Sequence, residues 1–338
     1  MTQKTNFYIW NDDSVASCAE LLKAGEVVAF PTETVYGLGA DASNPNAVTK
    51  IFTAKGRPAD NPLIVHVSSL AQMEEYVTDI PAQARKIINT FMPGPITVIL
   101  PSNGVIADNV TAGLATVGIR IPDHPVAQAL IEATNRPIAA PSANLSGKPS
   151  PTSAIHVYQD LHGKISAILD GGSTGIGVES TVVDCTGGVP TILRPGGITR
   201  EQLEIALGID IHVAKPDVAE LPSAPGMKYK HYEPDVPLVL INGDEHFFQE
   251  KINTYRSEGR KVGILISEQL ANALAADLVQ VCGSRDELAT VAAHLYQALR
   301  NFKTEDVDII LAEVYPETGV GEAIMNRLRK AASFIEIQ

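Results

Sequence analysis

Lys55-Gly56-Arg57-Pro58-Ala59-Asp60-Asn61-Pro62-Leu63-Ile64-Val65-His66 takes two fixed cations through a Gly-Pro turn and leaves it on a short apolar run. Upstream, Ser43-Asn44-Pro45 supplies a cap and a first-turn proline, which predicts a helix from Pro45 to about Phe52. Downstream, Leu63 to Val67 reads as a buried strand. The stretch is therefore a helix–loop–strand joint of an α/β fold, with Lys55 and Arg57 on the loop. Arg offers a planar fork of donors and Lys a compact point charge, so the pair can grip a phosphate chain from two angles. Taken alone, the same two residues also describe a solvated surface turn.

The pattern repeats on both sides of this joint. Asp12-Asp13-Ser14 caps a helix to about Lys23, and Glu26 to Phe30 is a strand broken by Pro31 and the polar loop Thr32-Glu33-Thr34. Strand-like runs recur at Ile96 to Leu100, Val117 to Ile121, Pro137 to Ala140, Ser166 to Leu169 and Thr181 to Asp184. Helical stretches at Ala82 to Phe91 and Pro125 to Thr134 lie between them. Residues 1–207 are expected to form a twisted mixed sheet with flanking helices. Residues 208–237 carry Pro216, Pro222, Pro225, Pro234 and Pro237 and read as a linker. In residues 238–338, strands at Leu238 to Ile241, Lys261 to Ile266, Leu278 to Val281 and Val307 to Ala312 alternate with helices. Those helices are Glu245 to Ser257, Glu268 to Ala276 and Asp286 to Phe302, giving a smaller Rossmann-like parallel domain. Its first turn is Asn242-Gly243-Asp244-Glu245 rather than G-x-G-x-x-G, which points to a regulatory or packing module over a dinucleotide site.

Composition narrows the function. Against 26 Lys plus Arg stand 39 Asp plus Glu, a formal net charge of −13, so a broad nucleic-acid surface is disfavoured and any anion must be held by a local cluster. Cys18, Cys185 and Cys282 are far apart and include no CxxC pair, so neither a disulfide framework nor a zinc site is indicated. No apolar run reaches membrane-spanning length, and the polar N-terminus lacks the order of a signal peptide, so the cytoplasm is the expected location. GxxxxGK[ST], HExxH, a lipase-like GxSxG and glycosidase carboxylate pairs are all missing.

What remains favours a phosphorylated nucleotide held by separate loops. Pro141-Ser142-Ala143-Asn144 follows a buried strand, where an α/β sheet places a ligand, and Ser142 and Ser150 can donate to phosphate oxygens. The same residues also suit a Ser- or Asx-stabilised turn. Arg120 ends the run beginning at Thr116 and has a carboxylate as its natural partner. Glu179-Ser180-Thr181 opens another strand, Leu193-Arg194-Pro195-Gly196-Gly197 offers a further cation on a rigid turn, and His66 taken singly reads as a core histidine. Ser223 to Pro234, with His231 and Tyr232, has the composition of a segment that closes over a site.

In order and spacing, several motifs together resemble the YrdC-like family over residues 10 to 205. They are Pro31-Thr-Glu-Thr-Val-Tyr-Gly-Leu, Lys55-Gly-Arg57, Asn61-Pro-Leu, Val65-His66, Pro93-Gly94-Pro95, Ile119-Arg120 and Pro141-Ser-Ala-Asn144. Pro225-Gly226-Met227, His231-Tyr232 and the tail resemble its long, two-domain threonylcarbamoyl-AMP synthases. The resemblance implies a nucleotidyltransferase that makes threonylcarbamoyl-AMP from L-threonine, bicarbonate and ATP, releasing pyrophosphate. A downstream complex then passes the threonylcarbamoyl group to tRNA. It implies that Thr34, His66, Arg120, the Ala140 backbone and Ser180 surround threonine. Arg57, Asn61, Thr116, Ser142, Ser150, Arg194 and Tyr232 would surround ATP, with Lys55 and Arg57 catalytic at the phosphates. Magnesium would arrive with ATP and need no protein cage. Two other readings stay open: a carbamoyl-adenylate-forming enzyme of the hydrogenase-maturation type, and an RNA-binding module with a concave basic surface.

Overall fold

The computed structural model describes residues 4–214 and 231–338, which divide into two compact units. The first holds residues 4–146, 151–175 and 179–214, and the second holds 147–150, 176–178 and 231–338.

Strands of the first unit are, in chain order, β1 (Asn6–Ile9), β2 (Val28–Pro31), β3 (Tyr36–Asp41), β4 (Ile64–His66), β5 (Ile96–Pro101) and β6 (Thr116–Arg120). They continue with β7 (Ile138–Ala139), β8 (Ala167–Asp170), β9 (Thr181–Asp184), β10 (Thr191–Arg194) and β11 (His212–Val213). They form one mixed sheet in the order β1-β8-β2-β3-β7-β4-β6-β5-β9-β10-β11. Period two divides each central strand between two cores: Val28 and Phe30 pack into one cluster and Ala29 into the other. Helices cover the faces. Asn11, rather than Asp12 or Asp13, caps the first of them (Asp12–Lys23) in a reciprocal box with Ser14.

Several elements depart from the expectations above. Strand β1 and the helices Ala154–Leu161 and Arg200–Leu207 are additional. The sheet does not stop at Leu207, because His212 and Val213 pair in parallel with Thr191 and Ile192 inside the stretch read as linker. An edge strand of two residues has too little alternation to be seen in sequence.

In the second unit β12 (Leu238–Asn242), β13 (Val262–Ile266), β14 (Leu278–Val281), β15 (Ile309–Glu313) and β16 (Phe334–Ile337) form a parallel sheet ordered β14-β13-β15-β12-β16. The helix expected at Glu268 to Ala276 is only a 3-10 turn, Glu268–Leu270, since its first bonds span three residues rather than four. Residues after β12 and β15 line a crevice of about 480 Å³ at the point where the sheet's connections diverge. Asp244 caps the helix Glu245–Ser257 there, so a carboxylate already occupies the helix N-terminus that a pyrophosphate would need.

Two short pieces of the N-terminal sequence belong to this second unit. Glu233 N–H donates to Gly147 O (2.9 Å), Lys148 lies 3.3 Å from Asp235, and Arg300 donates to Pro149 O. Tyr232 is buried at a positive φ of 66°, with its ring stacked on Tyr296 at 5.4 Å and Arg327 5.7 Å from its centroid. Of the segment read as a lid, residues 223–230 lie outside the described residues. The described remainder, His231 onward, belongs to the second unit.

Gly177 sits at φ +79°, where an added Cβ would run into the Ala292–Ala293 backbone, whereas Gly175 faces open space. Gly177→Ala should therefore lower the midpoint of thermal unfolding by several degrees, while Gly175→Ala leaves it nearly unchanged. Equal midpoints for the two variants in a thermal melt would remove this anchoring contact.

Candidate active site

Arg120 ends β6 in register with His66, which ends β4. Its side chain is buried, with Nη1 donating to Thr34 Oγ1 (3.1 Å) and Nη2 donating to Gly94 O (3.3 Å) and pairing with the Glu33 carboxylate. Thr34 is fixed in turn by Thr32, whose hydroxyl lies 2.8 Å away and donates to Val35 O. Burial first, and then the Arg120 charge, push the His66 imidazole down to about 3, so the ring is neutral at physiological pH. Its Nδ1 lies 3.3 Å from Ile64 O, and the same carbonyl accepts the Ala140 N–H at 2.9 Å. The structure thus brings Thr34, His66, Arg120 and Ala140 together on neighbouring strands and the loop after β2.

Ser180 enters the same unit just before β9. Its hydroxyl lies 2.8 Å from that of Thr97 on β5. Arg194 donates to the Ser180 carbonyl from Nε (3.2 Å) and Nη2 (2.9 Å), and to its hydroxyl at 3.2 Å. Arg194 is the last residue of β10, not part of a turn. The turn that follows packs so closely that a Cβ on Gly196 would overlap the backbone of residues 179–181. A residue expected at ATP and a residue expected at threonine are therefore joined directly.

Lys55 is not on the loop. The helix runs Pro45–Lys55, one turn beyond the expected end, because Gly56 at φ 62° supplies the left-handed C-cap. Lys55 is 3% exposed, and its ammonium donates to Ser142 O, to Asn144 O at 2.7 Å and to Asn144 Oδ1 at 3.5 Å. Its own carbonyl accepts from Ser146 N–H. The charge thereby organises the Pro141–Ser146 loop, within which the Ser142 hydroxyl bonds Asn144 at 2.6 Å. Arg57 donates to Asn61 O (3.2 Å). Asn61 is fully buried, yet neither end of its carboxamide has a hydrogen-bond partner among the described residues. Thr116 opens β6, half-buried. Ser150 and Tyr232, the other two residues expected at ATP, are buried members of the second unit.

Two functional candidates escaped the sequence reading, Glu33 and Thr97. A buried arginine requires a counter-charge, and Glu33 stands next to Thr34, so that signal was available. Thr97 was visible only as one hydroxyl in an apolar strand. No group of three or more His, Cys, Asp or Glu side chains among the described residues is placed to hold a metal ion.

Comparison with known proteins finds two family models along the chain, which meet near residue 197. Residues 20–196 match the Sua5, YciO and YrdC family, described as "Telomere recombination", and residues 198–333 match the threonylcarbamoyl-AMP synthase C-terminal domain. The chain is 55% identical to threonylcarbamoyl-AMP synthase of Bacillus subtilis over 95% of its own length and 94% of the relative. It is 48% identical to the Pyrococcus abyssi protein of that name, covering 94% of this chain and 93% of the relative. The crystal structure of P. abyssi Sua5 complexed with L-threonine superposes with a TM-score of 0.92 at 45% identity, covering 99% of each chain.

The depressed His66 has a consequence for stability. The unfolded ring takes up a proton below about pH 6.5, whereas the folded ring resists until about 3. Its contribution is therefore complete above the unfolded value and is lost as pH falls through this window. In His66→Gln, the fall in unfolding temperature between about pH 6.5 and 4 should be shallower than in the parent protein. Identical slopes would show that His66 protonates freely in the folded state.

Proposed function

Because the chain belongs to the Sua5, YciO and YrdC family in its two-domain threonylcarbamoyl-AMP synthase form, we propose that it joins L-threonine, bicarbonate and ATP into threonylcarbamoyl-AMP and pyrophosphate. A downstream complex then transfers the threonylcarbamoyl group to tRNA. The observation that carries this reading is the buried Arg120 guanidinium, flanked by the Thr34 hydroxyl and a neutral His66. Such a cluster suits a small zwitterion whose carboxylate pairs with Arg120 and whose hydroxyl meets Thr34 or Ser180.

The amine of threonine becomes a carbamate, and a carbamate oxygen attacks the α-phosphorus of ATP as pyrophosphate leaves in line. Alignment and charge neutralisation carry such a displacement, with no protein nucleophile. Arg57 and Arg194 contribute charge at the phosphates, and Asn61, Thr116 and Ser142 complete the proposed ATP set within the first unit. Lys55 acts there with its ammonium fixed on the Ser142 and Asn144 carbonyls, so it also positions the loop that offers Ser142. A magnesium ion would be held chiefly by the phosphates of ATP and by water. The three cysteines are free and buried, which favours a reducing compartment such as the cytoplasm.

Pyrophosphate release from ATP should require both L-threonine and bicarbonate. Arg120→Lys, which loses the bidentate fork, should raise the KM for threonine about tenfold or more and change that for ATP much less. Equal weakening of both substrates would assign Arg120 to the nucleotide or to the fold.

The unsatisfied carboxamide of Asn61 gives a second test. An apolar side chain of similar shape removes two buried polar atoms that have no partner among the described residues, so Asn61→Leu should leave the unfolding temperature unchanged or raised. The KM for ATP should rise at the same time. A destabilised variant with normal ATP kinetics would make Asn61 a structural residue.

A further inference from the structure

The ammonium of threonine must lose a proton before its nitrogen can attack carbon, and none of the residues placed at threonine so far accepts one. His66 is buried beside the Arg120 cation and resists protonation, and Thr34 and Ser180 are neutral hydroxyls. Glu33 is the carboxylate in contact with Arg120. Its side chain is 11% exposed, Oε1 takes the Arg120 pairing, and Oε2 is buried with no donor among the described residues. A buried carboxylate oxygen without a donor is costly and calls for one. The Arg120 Nε–H also has no partner among the described residues, so the guanidinium can take a second carboxylate while keeping Glu33. An α-amino acid carries its ammonium one carbon away from its carboxylate. Seating that carboxylate on Arg120 therefore brings the ammonium beside the other group on the same guanidinium.

We propose that Glu33 is the catalytic proton acceptor for carbamate formation, taking a proton from the substrate ammonium at Oε2; the proposal rests on Arg120 holding the threonine carboxylate. Proton transfer leaves a neutral amine and the Glu33 carboxylic acid. The nitrogen lone pair then forms a bond to the bicarbonate carbon, whose C–OH bond breaks. The departing oxygen takes the second amine proton and leaves as water, so amine plus bicarbonate become carbamate plus water. Glu33 afterwards returns its proton to solvent. The charged and titratable groups facing Glu33 among the described residues are Arg120 and His124; the latter caps the helix Pro125–Thr134, and burial lowers its pKa against the opposing pull of the Glu33 and Asp123 charges.

Glu33→Gln separates this role from a structural one, because the amide oxygen still accepts from Arg120 but cannot take a proton. Turnover, read as pyrophosphate release, should fall about a hundredfold near neutral pH. The deficit should shrink as pH rises and solvent replaces the missing base, and Glu33→Asp should recover part of the rate. Threonine affinity measured by calorimetry without ATP should fall as well, because the amide sets a donor in place of the carboxylate facing the substrate ammonium, so turnover is compared at saturating threonine. Normal turnover in Glu33→Gln, or a deficit that is the same at every pH, overturns the proposal. Arg120→Lys titrated in the same series tests the premise separately. Undiminished threonine affinity there would mean that Arg120 is not the carboxylate anchor. Weakened affinity in Arg120→Lys together with normal turnover in Glu33→Gln would keep the anchor and remove only the base.

Discussion

Arg120 can remain buried at the end of β6 because Glu33 answers its charge from the loop after β2. Taking a guanidinium out of water costs several kcal/mol, and Coulomb attraction offsets this only when the remaining donors are also satisfied. Thr34 and Gly94 supply two of those acceptors, so the loop at 32–34 and the turn at 93–95 are both drawn to one side chain. The neutrality of His66 follows from the same charge, because a second cation beside Arg120 in a dry setting is unfavourable. The threonine site proposed above is thus built on an ion pair that also ties two loops to one strand end.

Lys55 shows a different use of an interior cation. Its ammonium is directed at two backbone carbonyls of the loop that follows β7. Hydrogen bonds to a charged donor are stronger than neutral ones, roughly by a factor of two. The loop carrying Ser142 is therefore set by a helix C-terminus whose own carbonyl bonds back to Ser146. Charge acts here on the shape of a loop as well as on any bound phosphate.

Of the residues in the motif series, Thr34, His66, Arg120 and Ala140 do come together, while the local settings of Lys55 and Arg194 differ from the sequence reading. Helix and strand placement followed from period and caps at Ile96–Pro101 and Pro125–Thr134, whereas the helix Val320–Ala331 is absent from the sequence reading. Lys55 is helical rather than on the loop because the stop signal is Gly56, four residues beyond Phe52. Arg194 was read as a turn residue because Pro195 follows it, yet the strand continues through Arg194 itself. Glu33 is legible as a partner only through its place beside Thr34, because a contact across 87 residues leaves no periodic trace in the chain. Short edge strands such as His212–Val213 depend on pairing that no local pattern encodes.

The second unit is assembled from three separate pieces of chain, since residues 147–150 and 176–178 are built into it with 231–338. Residues 231–338 are therefore not the whole of it. A chimera that attaches residues 231–338 to another first domain would lack the carbonyls of Gly147 and Pro149 and the bare α-carbon of Gly177 that the C-terminal residues are shaped to receive.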